Sequence, residues 1–184
     1  MLNASAVNID DVVIENFGGN TATNGRGITI ETSAANVRVY VRNSHIINCN
    51  SFGIHSNPTG GNVVLFVDGT EIANNGSTAI QLRQLTTAFI NNASITGNAA
   101  GAGVALELGT VTAHVSNSVI SNNNFGIFSG NGGAPTTRLY GTVITGSVTA
   151  GLSILSGTIT SYGNNAIRGN NGNEAPSGAA IGTQ

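Results

Sequence analysis

Two sets of side chains in this sequence have residue types that could do chemistry. Glu31, His55, Arg83 and Glu107 bring carboxylates, an imidazole and a guanidinium, the groups used for acid–base bond cleavage or proton abstraction. Tyr40, Phe66, Phe89 and His114 recur as flat rings, which can stack on sugar rings or meet a partner chain. His45 and Glu71 form a third, smaller pairing. A metal site needs about three or four ligands, and the glycine-aspartate nonapeptide of calcium β-rolls is absent. No metal or cofactor is therefore expected.

The charge inventory removes several partners. Charged residues make up 8% of the 184-residue chain, lysine is absent, and Asn equals Gly at 26 each, so the surface is neutral and polar. A net charge of −2 with six scattered arginines offers no footprint for phosphate backbones, so nucleic acid is excluded. The apolar runs are too short to span a membrane, and no basic region followed by an apolar one opens the chain. The single cysteine, Cys49, excludes an internal disulfide, and its Asn-rich surroundings predict an unreactive thiol.

What positions the two sets is a repeat. Ile14, Ile46, Ile72, Ile95, Ile120 and Ile144 recur, after the first gap, at about 24 residues. About six residues before most of these anchors lies the centre of an alternating β-branched run: Arg38 to Arg42, Val64 to Asp68, Thr87 to Asn91, Thr112 to Ser116 and Thr136 to Tyr140. A polar turn follows at Asn50, Asn75, Asn98, Asn123 and Ser147. Then a small residue precedes an aliphatic one: Gly27-Ile28, Gly53-Ile54, Ala79-Ile80, Gly103-Val104, Gly126-Ile127, Gly151-Leu152 and Ala166-Ile167. The turns are too short for a βαβ crossover, so the chain must coil, with equivalent positions stacked about 4.8 Å apart.

The predicted fold is therefore all-β, a single-stranded parallel β-helix of about seven coils over residues 1–171, with 172–184 as a tail or cap. Val41, Val67, Ile90, Val115 and Leu139 face inward, beside a small column of Ser44, Thr70, Ala93, Ser118 and Thr142. Asn50, Asn75, Asn98 and Asn123 are expected to form one amide ladder, and Asn43, Asn92 and Asn117 a second column broken by Gly69 and Gly141. Ile159 follows Ile144 by only fifteen residues, which predicts a strand face missing from the last coil.

These G-I and I-x-x-N coils resemble the bacterial right-handed parallel β-helix repeat proteins, relatives of the pectate-lyase-like superfamily. The closing segment from Ser161 to Asn170 is similar to the last coil of one bacterial branch. The resemblance implies a right-handed helix and an exported or extracellular location. Family members usually begin with a capping element, whereas this chain enters strand-like sequence near Met1, as a piece of a longer protein would. In β-helix polysaccharide enzymes the groove corresponding to the Gly-Ile face holds substrate, so Glu31, His55, Arg83 and Glu107 become the candidate binding face.

That face does not complete a catalytic set. Glycosidases need two carboxylates within about 5 to 9.5 Å, whereas Glu31 and Glu107 stand three coils, about 14 Å, apart. Pectate lyases of the superfamily use a calcium-binding carboxylate cluster with an arginine base, and polygalacturonases use clustered aspartates with His and Arg-x-Lys; neither signature occurs. Arg83 and Glu107 on adjacent coils read as an ion pair. Tyr40, Phe66, Phe89 and His114 form the candidate contact face: cross-coil stacking, oligomer contact and glycan binding all fit. The sequence thus favours a non-enzymatic scaffold or interaction domain, with polysaccharide or protein as partner and self-association through a coil end or the aromatic column. The alternative is a carbohydrate-binding or polysaccharide-cleaving β-helix.

Overall fold

The structure, a computed structural model, describes residues 5–18, 24–33 and 36–182. Three parallel sheets form the walls of a solenoid. The first stacks Ala6–Asp10, Val37–Arg42, Val63–Asp68, Thr86–Asn91, Thr112–Ser116, Thr136–Tyr140 and Thr158–Ser161. The second stacks the short strands Val13–Glu15, His45–Ile47, Glu71–Ala73, Ser94–Thr96, Val119–Ser121, Val143–Thr145 and Ala166–Ile167. The third holds Ile28–Ile30, Ile54–Ser56, Ile80–Arg83, Ala102–Glu107, Phe125–Gly130 and Ala150–Ile154.

Alternation decides which side chains enter the core. In Val37–Arg42 and Val63–Asp68 every second residue is buried, as the two-residue period of a strand requires. Val41, Val67, Ile90, Val115 and Leu139 stack in register, as do Ile46, Ile72, Ile95, Ile120 and Ile144. Each fully buried aliphatic side chain contributes about 1.5 to 3 kcal/mol before entropy is counted.

The turns explain the Asn and Gly content. Between the first and second sheets one residue bends the chain with a positive φ: Asn43 (48°), Gly69 (57°), Asn92 (50°), Asn117 (48°) and Gly141 (54°). Asn and Gly are the residues that adopt this conformation most readily. Gly53 is needed for close approach instead. A Cβ there would lie 2.6 Å from Ile72 Cγ2 and 2.7 Å from the Ala79 carbonyl oxygen.

After the second sheet a buried amide ladder closes the turn, one residue away from its expected start. The Cys49 N–H donates to Asn75 Oδ1, the Asn75 N–H to Asn98 Oδ1, and the Asn98 N–H to Asn123 Oδ1, each at 3.0 Å. Side-chain amides continue the run, with Asn98 Nδ2 donating to Asn123 Oδ1 at 2.9 Å. Asn50 does not belong to this column: it is exposed, and Cys49 holds the rung. The ladder residue falls three positions after each isoleucine anchor, and three after Ile46 is Cys49.

The last coil also differs from expectation. Ile159 lies in the first sheet beside Thr137, and Ile167, expected in the Gly-Ile column, instead stacks under Ile144 in the second. No face is missing. A tight turn from Leu155 to Gly157, with Gly157 at φ 78°, carries the chain directly from the third sheet to the first. Residues beyond Asn170 then lie across the open edge: the Leu152 N–H donates to the Asn173 carbonyl at 2.8 Å, Gly178 N–H to Ile159 at 3.0 Å, and Ile181 N–H to Ser161 at 2.9 Å.

Candidate functional site

On the outside of the third sheet, Thr29, His55, Gln81, Ala105 and Phe128 stack in one column. Arg83 and Glu107 are neighbours in the next, with Glu31 at its start. A further line of side chains, Arg26, Phe52, Thr78, Ala102 and Phe125, precedes the small residue of each coil and flanks the first column.

These lines close over one another. His55, although it points outward, is only 2% exposed. Its ring stacks on Phe52 at 5.2 Å, and the Arg26 guanidinium lies 5.4 Å from the Phe52 centroid. Arg26 Nη1 meets His55 Nδ1 at 2.9 Å and reaches Glu31 Oε1 at 3.6 Å. Burial, and then the charges of Arg26 and Arg83, lower the His55 pKa to about 4.

Glu107 is held on every side. Gln81 Nε2 donates to its Oε2 at 2.8 Å, Arg83 Nη2 to the same oxygen at 3.1 Å, and Asn131 Nδ2 to its Oε1 at 2.9 Å. The Arg83–Glu107 ion pair read from the sequence is present, and Glu107 has company that the sequence did not reveal. Beside it, Ala105, Phe125, Phe128, Thr78 and Glu107 line a shallow hollow of about 140 Å³. The four sequence candidates thus fall into two contact groups, Glu31 with His55 through Arg26, and Arg83 with Glu107. Gln81, on the rung after His55, adjoins both.

Polar atoms with no partner concentrate here. Arg26 Nε, His55 Nε2, Gln81 Oε1 and Arg83 Nε are all buried and unpaired. Sequence reasoning missed Arg26 and Phe52 as members of the cluster, whereas Gln81 follows His55 in the outward column that the repeat sets out. The signal for Arg26 and Phe52 was their constant place just before the small residue of the Gly-Ile pair.

On the first sheet the aromatic column is continuous. Tyr40 and Phe66 stack at 4.8 Å, Phe66 and Phe89 at 5.2 Å, and Phe89 and His114 at 4.9 Å. Arg42 lies over Tyr40 at 4.6 Å. Burial, and then Arg138, lower the His114 pKa. The inner rings spend their faces on each other, so a sugar laid on this sheet meets ring edges. On the second sheet His45 Nδ1 and Glu71 Oε2 touch at 2.8 Å. Among the described residues no three His, Cys, Asp or Glu side chains gather to hold a metal. Burial raises the Cys49 pKa, against a smaller opposing effect of the Phe17 backbone, which keeps the thiol protonated.

Three stacked parallel sheets with no helix among the described residues define a parallel β-solenoid. A family model described as a right handed beta helix region matches residues 1–171, and the chain belongs to that family. The comparisons with curated proteins and with solved structures return no match.

Proposed function

We propose that this β-helix is a non-enzymatic scaffold whose third-sheet face binds a partner and does not cleave it. The observation that carries this reading is the state of Glu107. Its two oxygens accept from Gln81, Arg83 and Asn131, so both are already committed as acceptors within the fold. A general acid and a general base must both reach one scissile bond. The next carboxylate of the face, Glu31, belongs to a coil three rungs away and leans toward Arg26. Arg83 is an unsuitable base, because a guanidinium carries donors and no acceptor, and this one already donates to Glu107.

A panel of neutral and acidic polysaccharides, assayed for reducing and unsaturated ends, tests this. The expected result is binding to at most some members and no product from any. Turnover that disappears in Glu107→Gln or Arg83→Ala would make the protein an enzyme. A carbohydrate ligand is the second reading, favoured by the hollow that sets Phe125 and Phe128 beside Glu107.

A further inference from the structure

The contact between Arg26 and His55 fixes more than a distance. Arginine nitrogens can only donate, so at 2.9 Å the Nδ1 of His55 must accept, and the ring proton therefore sits on Nε2. That Nε2–H is buried and has no acceptor. The Nε–H groups of Arg26 and Arg83 are in the same condition. Gln81 is oriented by its donation to Glu107, which leaves its Oε1 as a buried acceptor without a donor. Three orphaned donors and one orphaned acceptor on neighbouring rungs of one sheet face are a concentration that folded proteins avoid, because each unpaired group costs about 1 to 3 kcal/mol.

We propose that the cluster of Arg26, His55, Gln81 and Arg83 is a binding site for the carboxylate group of a small ligand. This deepens the reading of the third-sheet face as a binding surface and rests on it. A carboxylate supplies about four acceptor positions, enough for the three donors. A hydroxyl next to the carboxylate would serve the Gln81 oxygen. Glu31 already shows the chemistry in weaker form: its carboxylate lies 3.6 Å from Arg26 Nη1, and its side chain is 55% exposed. An ion pair that open is loosely held. Ligand entry consists of replacing the Glu31 carboxylate at Arg26 and moving inward to His55, beside the Arg83 side chain, itself 31% exposed.

The site is tested by NMR on labelled full-length protein, titrated near neutral pH with acetate, glycolate and glucuronate, and with chloride at matched ionic strength. Acetate should shift the His55 and arginine side-chain signals saturably, and chloride should not. Arg26→Gln should weaken binding by about tenfold or more. Glu31→Gln, which removes the competing carboxylate from an exposed position, should tighten it by roughly two- to fivefold. Glycolate or glucuronate binding tighter than acetate would assign the neighbouring hydroxyl or the sugar ring a part; equal affinities would assign the carboxylate alone. Shifts that match those of chloride, that fail to saturate, or that are unchanged in both variants overturn the proposal. In that event an absence of polysaccharide cleavage still leaves the non-enzymatic reading standing, whereas cleavage removes that reading whatever acetate does.

Discussion

The amide ladder and the outer face of the third sheet adjoin at the small residues that open each Gly-Ile strand, yet they are organised in opposite ways. In the ladder one residue type recurs, and the polar groups of Asn75 and Asn98 are answered by the next coil. On the outer face the column runs Thr29, His55, Gln81, Ala105 and Phe128, a different side chain on every rung, and several polar atoms have no answer. Repetition in a solenoid lets a column satisfy itself, so it marks structure. Where repetition stops and buried groups stay unpaired, the coil is built for something else. The aromatic column belongs with the ladder on this criterion, since its rings stack on one another.

The largest effect that can break this contrast is the response to acid. The His55 pKa stands at about 4 in the fold against an ordinary 6.5. The unfolded chain therefore takes up the proton first as pH falls. Stability present above about pH 6.5 is lost progressively down to about pH 4, by about 3 kcal/mol. Urea melts at about pH 7.5 and about pH 4.5 should show a drop of this order in the parent and a smaller one in His55→Gln. Equal drops would mean that the imidazole is not held neutral by burial.

Breaking the ladder comes next. Asn98→Ala leaves the Asn75 N–H without its acceptor and should cost about 1 to 3 kcal/mol. Asn50→Ala, at an exposed position beside the ladder, should cost less than half as much in the same melts. Similar losses from both would show that the buried amides carry no special share of stability.

The smallest effect sharpens the contrast by extending the repetition. Ser147 interrupts the amides with a hydroxyl whose Oγ is buried and unpaired, although its N–H donates to Asn170 Oδ1 at 3.0 Å. Gly126 faces Ser147 as Gly103 faces Asn123, so an amide has the same neighbour there. Ser147→Asn should place a carbonyl within reach of the Asn123 N–H and raise stability by about 1 kcal/mol. A neutral or negative change in the thermal midpoint would show that this turn differs from its neighbours in more than one side chain.

Most of the fold was legible because the repeat writes the same physical requirement many times. The isoleucine anchors, the alternating strand before each and the small-aliphatic pair after each placed all three sheets of the regular coils. The slips came where one copy of the repeat departs from the rest. Cys49 took a rung that elsewhere belongs to Asn, and the Asn beside it drew the ladder off by one residue. The shortened turn before Thr158 brought Ile159 close behind Leu152, which disguised a first-sheet strand as an anchor. The outer face was legible only as columns of outward residues. Its closure over His55 depends on Arg26 and Phe52, which precede the strand and reach back across it, a direction that strand periodicity does not encode.

The contrast stands or falls on the state of one ring. A nitrogen-detected NMR titration of His55 reports both its tautomer and its pKa. The predicted result is a neutral ring protonated at Nε2 across the neutral and mildly acidic range, taking up its second proton only near pH 4. A ring protonated at Nδ1, or one that titrates at the ordinary 6.5, would contradict the buried, unpaired donor at the centre of the face.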